Sequence, residues 1–278
     1  MKNIFRKGLL LIFSAVFFVS SMFLIRRLLD QGAGNHSYED AEQIAQGTDY
    51  RNRTAYAPEI RETTPQPQVA EPREAVWIPE IVTDDPIAEE MYSIDLRALR
   101  EENPDVVGWI RIPDTNIHYP LMQGQDNDYY LNNTWNRQNN SMGSIFLECG
   151  NRADLTDYNT IVYGHNMSTG KMFGQLHRYA EKAFWEAHPY VYILYDAGVL
   201  RYEIFAAYRT EVDSVVYGLS YREEKTKAAF LLHALENTKI DTGILPEKTD
   251  RILTLSTCTG LGYKERRVVH AYLPMELQ

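Results

Sequence analysis

The chain has 278 residues, 44% of them hydrophobic and 12% aromatic, enough apolar material for one sizeable core plus appendages. A formal charge of −10, with no basic stripe beyond the N-terminal region, argues against a nucleic-acid-binding protein. Two cysteines, Cys149 and Cys258, make neither a disulfide framework nor a metal-type spacing.

Residues 8–25 are an uncharged apolar run, flanked by Lys2, Arg6 and Lys7 before it and Arg26 and Arg27 after it. The run is at the length needed to cross a bilayer and lacks the shorter apolar region and small-residue cleavage site of a removed signal peptide. Residues 1–30 are therefore expected to be a cytoplasmic tail and an uncleaved transmembrane signal anchor. The slightly greater positive charge of the tail places it inside and the bulk of the chain on the extracytoplasmic side. Residues 31–85, rich in Gly, Asn, Gln, Thr, Pro and mixed charges, read as a flexible stalk, semi-extended where Thr63-Thr-Pro-Gln-Pro-Gln-Val-Ala-Glu-Pro72 carries its prolines. A folded domain is expected over 86–278.

Within that domain, Ile87, Met91, Ile94 and Ala98 share one helical face, which predicts a single helix over 86–102, stopped by Asn103-Pro104. Strands are predicted at 106–112, 117–121, 144–147 and 160–163, followed by a helix over 171–187 with Phe173, Leu176, Ala180 and Phe184 on one side. A hairpin joins 191–194 to 200–209, a helix over 221–237 presents Ala228, Leu231, Leu232 and Leu235, and strands at 252–257 and 267–273 close the chain. Eight short strands with few helices make a mainly β fold, a closed or nearly closed eight-stranded barrel with an N-terminal helix and a helical insertion before the strand that carries Cys258.

Cys258 ends a run of Ile, Leu and β-branched Thr and is followed by Thr-Gly-Leu-Gly, so a thiol sits at the end of a rigid strand. The strand at 160–163 ends in Gly164-His165-Asn166, and the last strand opens with Arg266 and Arg267. A thiol needs a base or an ion-pair partner to become a thiolate, and attack on an amide needs a fixed donor for the oxyanion. Cys, His and Arg at one end of a barrel would supply all three. Strand alternation sends Arg266 and Arg267 to opposite faces without saying which one meets the thiol. His270, in mid-strand, reads as a packing residue.

Thr254-Leu-Ser-Thr-Cys258 resembles the TLxTC signature of the sortases, and Tyr163-Gly-His165-Asn-Met167, Cys258 and Arg266 follow the order of that family's His, Cys and Arg. Asn103-Pro-Asp-Val-Val-Gly-Trp-Ile, Tyr119-Pro-Leu-Met-Gln-Gly, Asn127-Asp-Tyr-Tyr-Leu131, Gly143-Ser-Ile-Phe-Leu147 and Lys171-Met-Phe-Gly-Gln-Leu176 are similar to class B members, over about residues 86–276. The resemblance implies a cysteine transpeptidase that cleaves a C-terminal sorting motif after Thr, forms a thioacyl-enzyme on Cys258 and passes the protein to an amine of peptidoglycan. It implies His165 as general acid/base, Arg266 as oxyanion donor, and Asn127, Leu131 and Ser256 as substrate-binding residues. It implies no metal and no cofactor. Its implied partners are secreted proteins with a sorting signal and a peptidoglycan amine, met at the outer face of a bacterial membrane that the N-terminal anchor holds. A pilin-polymerising enzyme with a lysine acceptor, a purely hydrolytic cysteine protease and a non-catalytic tethered barrel are the competing readings. Cys149 stands where the family pattern leads one to expect a non-thiol residue, commonly Asp.

Overall fold

The computed structural model describes residues 2–47, 84–259 and 264–274, with the side chains of 2–12 and 15 left aside. The proline-rich part of the expected stalk, within 48–83, lies outside the described residues. The first helix, α1 (Lys2–Gln46), continues through 31–46, a stretch that composition alone had assigned to the stalk. Its last turns are docked on the domain. Tyr38, Ala41 and Ala45 are buried, Trp135 Nε1 donates to the Ser37 carbonyl at 2.7 Å, Asn140 Nδ2 donates to the Asp30 carbonyl at 2.7 Å, and Tyr38 Oη donates to the Gly143 carbonyl at 2.6 Å. Those few apolar residues sit among polar neighbours and give no strong periodic signal, so only the partner surface makes the packing visible. Among the described residues no helix is long and apolar enough to cross a membrane. The 8–25 run lies partly outside the residues whose side chains are described.

The helix expected over 86–102 is two: α2 (Pro86–Met91) and α3 (Leu96–Glu102). Asp85 caps α2 by accepting from the Ile87 and Ala88 amides, and Asp95 restarts the chain by capping α3 through the Arg97 and Ala98 amides. A periodic apolar face runs straight through this break because Met91, Ile94 and Leu99 are buried on both sides of it.

Eight strands close a barrel in the order β1-β2-β3-β4-β7-β8-β6-β5, with β1 pairing β5 to seal it. They are β1 (Val106–Arg111), β2 (His118–Met122), β3 (Ile145–Leu147), β4 (Asn159–Tyr163), β5 (Tyr190–Tyr195), β6 (Gly198–Glu211), β7 (Arg251–Cys258) and β8 (Glu265–Leu273). Two pairs are parallel, β2 with β3 and β4 with β7. Alternation along the strands sorts them into two cores. Val162, Leu253, Leu255, Val269 and Ala271 belong to the large inner cluster, whereas Ile252 and Val268 face a second one with Phe205, Tyr208 and Phe230.

That outer cluster is roofed by α5 (Glu224–Asn237). Its buried residues are Phe230, Leu231 and Ala234, so the buried face is rotated from the one expected, and Leu232 is 57% exposed. The helix expected over 171–187 also divides, into a 3₁₀ segment at Gly174–Ala180 and α4 (Lys182–Ala187), separated by extended Glu181. Phe173, Leu176 and Tyr179 are buried at spacing three, the period of a 3₁₀ turn, while Ala180 is exposed. Gly174 is needed here because a Cβ would stand 2.2 Å from the Met167 carbonyl oxygen.

Candidate active site

Strand register assembles the site. In the parallel β4–β7 pair Tyr163 lies beside Ser256, and Gly164 N–H extends the ladder to the Ser256 carbonyl at 3.2 Å. The pairing ends there: His165 follows β4 by two residues, and Cys258 ends β7 two residues past Ser256. On the other side of β7, antiparallel β8 puts Arg266 directly opposite Cys258. Directly opposed residues share a face, and Ile252 and Val268 define that face as the one turned away from the barrel interior. Arg266 is therefore in phase with the thiol. Arg267, opposite Thr257, is out of phase, which resolves the choice that alternation alone left open. Gly164 lets β4 pass close to the core at this point, since a Cβ there would lie 2.4 Å from Ile145 Cδ1 and 2.8 Å from the Phe173 ring.

His165 Nε2 donates to the Leu131 carbonyl at 2.6 Å. Because a carbonyl oxygen only accepts, Nε2 carries the proton of this bond. Leu131 thus acts on the imidazole through its backbone. Arg266 Nη1 donates to the Glu265 carbonyl at 3.2 Å. Cys258 is half-buried, and both thiols are free.

Ser256 is 1% exposed, and its hydroxyl is hydrogen-bonded to Tyr217 Oη at 2.9 Å. Tyr217 had no motif to mark it. It sits in the 3₁₀ turn Val215–Tyr217 after β6, and burial pushes its phenol up to about 12, with Ser256 and Arg266 opposing the rise and Cys258 adding to it. A single phenol therefore lies within electrostatic reach of both Arg266 and Cys258. Val212 and Val215, in the same loop, are exposed apolar side chains.

Asn127 belongs to a separate polar hub. Its Nδ2 donates to Glu148 Oε1 at 2.6 Å, and its Oδ1 accepts from Cys149 N–H at 2.9 Å. Burial raises the Glu148 carboxyl, but donors from Asn127, Tyr163, Gly150 and Cys149 outweigh it and the net shift is downward. Cys149 is exposed, and its thiol is raised by desolvation and by the Glu148 carboxylate, the opposite of what a nucleophile needs. Among the described residues no group of three or more His, Cys, Asp and Glu side chains is placed to hold a metal ion.

Residues 110–274 match the family model of the sortase domain. The chain belongs to the sortase family. It is 39% identical over 178 residues to sortase B of Listeria monocytogenes, spanning 63% of this chain and 72% of that protein. A solved Staphylococcus aureus sortase B–substrate complex is similar at 30% identity and a TM-score of 0.61, covering 66% of this chain and 85% of the other. A sortase B solved with triglycine is similar at 30% identity and a TM-score of 0.61, covering 65% and 86%. The sortase fold expected from the motifs is the closed eight-stranded barrel observed, and the protein is a class B cysteine transpeptidase.

Proposed function

We propose that Cys258 is the nucleophile, His165 the general acid/base and Arg266 the oxyanion donor of a reaction that anchors secreted proteins to the cell wall. The observation that supports this reading is the β7–β8 register, in which Arg266 lies opposite Cys258, together with the β4–β7 pairing that ends at Tyr163 and Ser256, two residues before His165 and Cys258. The Cys258 thiolate attacks the carbonyl carbon of Thr in a sorting motif, and the scissile C–N bond breaks as imidazolium donates a proton to the leaving amine. An acceptor amine then attacks the thioester, the C–S bond breaks, and the imidazole takes the amine proton. Arg266 meets the negative charge on the carbonyl oxygen in both steps. The substrate and triglycine complexes of related sortases B support a sorting signal as donor and a peptidoglycan amine as acceptor. Leu131 positions the imidazole through its carbonyl, and Ser256 and Asn127, the first bonded to Tyr217 and the second to Glu148, are the further residues this reading assigns to substrate binding.

The same reading places the enzyme on the extracytoplasmic side of the cell membrane, held by 8–25. In support, Phe17, Phe18, Met22, Phe23, Leu24 and Leu29 are more than half exposed on α1, a surface that lipid would cover. Because α1 is bonded to the domain from Asp30 onward, the barrel then rests near the lipid surface instead of at the end of a long tether.

The test is mass spectrometry of sorting-signal peptides incubated with and without triglycine or a lysine-bearing peptide. The reading requires an amide product joined at Thr that Cys258→Ala cannot form. Free acid alone with every amine would establish a hydrolase, and a product only with the lysine peptide would establish a polymerising enzyme.

A further inference from the structure

Away from the thiol, the other face of β8 carries an unusual concentration of positive charge. Arg209 on β6 and Arg267 on β8 are directly opposite each other in the antiparallel pair, and the backbone of Lys239 is held nearby by the hydrogen bond that its N–H donates to the Ala207 carbonyl at 3.0 Å. The three cations border one cavity of about 370 Å³, together with His177, Tyr208 and Asn237, and among the described residues no carboxylate lines it. Glu265 is the counter-charge at hand, 3.9 Å from Arg209, so three cations against one carboxylate leave two positive charges in excess.

Like charges directly opposed on a sheet destabilise it, and a half-buried guanidinium normally finds an acceptor. Arg267 has only the Glu265 carboxylate nearby, shared with Arg209. It is half-buried and makes no hydrogen bond among the described residues; burial and then the Arg209 charge push its guanidinium down from its ordinary value, and the Glu265 carboxylate opposes them only in part. Glu265 offsets part of the repulsion between the two guanidinium groups, and an anion in the cavity would offset the rest. Two guanidinium forks and an ammonium offer more donors than one carboxylate can accept, and they match a tetrahedral dianion.

We infer that the cavity bordered by Arg209, Lys239 and Arg267 is a binding site for a phosphate group, distinct from the thiol site on the opposite face of β8. Its carrier is either a small phosphorylated molecule or a phosphate-bearing polymer, since both present the same dianionic or diester oxygens.

The experiment is calorimetric titration of the full-length chain, in nonionic detergent, with inorganic phosphate, linear polyphosphate and acetate at constant ionic strength. Saturable binding of phosphate is expected, weakened about tenfold by Arg267→Gln and severalfold by Lys239→Gln, and unchanged by Cys258→Ala. Tighter binding of polyphosphate at equal phosphorus, with a steep salt dependence, would identify a polymer as the source, and equal binding a small molecule. No saturable binding of either phosphate would overturn the inference. So would acetate bound as tightly as phosphate, or wild-type affinity in both Arg267→Gln and the solvent-exposed Lys239→Gln, which keeps the test open if the half-buried variant fails to fold.

Discussion

Protonation of His270 is the perturbation that most directly threatens the strands bearing the site. The ring is fully buried between β6, β7 and β8, bonded to Tyr208 Oη at 3.0 Å and to Thr254 Oγ1 at 2.9 Å. Burial lowers its pKa from the usual 6.5 to about 3, so the folded protein keeps it neutral while the unfolded chain binds a proton as pH falls through 6.5. Its stabilising contribution is complete above the unfolded value and is lost progressively from pH 6.5 downward to about 3. At pH 5 the unfolded chain has gained almost a full proton and the native state almost none, which costs about 2 kcal/mol relative to neutral pH. The figure hardly depends on the native value, provided that this lies well below 5. His118, held down to about 4 by burial and by the Arg111 charge, adds a slope of the same sign over the same window. Urea denaturation at pH 7 and pH 5 measures the loss, and His270→Gln, which cannot titrate, should lose about 2 kcal/mol less than the wild type over that interval. An identical loss in both proteins would refute the assignment. If the variant does not fold, the ring resonances of wild-type His270 decide the matter, because a native pKa near 6 contradicts the burial argument.

Arg266→Lys replaces a fork with a point charge and should lower kcat/KM by about 10²-fold or more, the cost of losing an oxyanion donor; a loss below about fivefold would remove Arg266 from that role. Tyr217→Phe strands the buried Ser256 hydroxyl and should cost about 1–3 kcal/mol in denaturation. Adding Ser256→Ala to it should cost little more, and full additivity in the double-mutant cycle would show that the 2.9 Å bond carries no weight. Trp135→Phe removes the donor to the Ser37 carbonyl, and hydrogen exchange of residues 34–46 should accelerate about tenfold while the β7 amides stay protected; unchanged exchange would mean that α1 is held by other contacts.

Much of the barrel could be read from the chain because its strands are short runs with their own punctuation. Local pattern placed eight strands to within one or two residues of their observed ends, and it drew attention to Cys258, His165 and the pair Arg266–Arg267 at strand ends, of which the sortase motif singles out Arg266. It could not say which of Arg266 and Arg267 shares a face with the thiol, since alternation fixes a difference between neighbours and not an absolute phase; the β7–β8 register decided that. Nor could it show that Leu131 holds the imidazole by its carbonyl, because every residue has a carbonyl and only the fold aims one. Tyr217 was hidden in a loop without periodicity, and its meeting with Ser256 spans 39 positions of chain. The docking of Asp30 to Ala45 was lost for the same reason: a weakly apolar helix declares its buried side only when the surface at Trp135, Asn140 and Gly143 is present to receive it. Local patterns record what a residue tends to do beside its neighbours. Contacts between distant segments arise only when closure of the barrel brings those segments together.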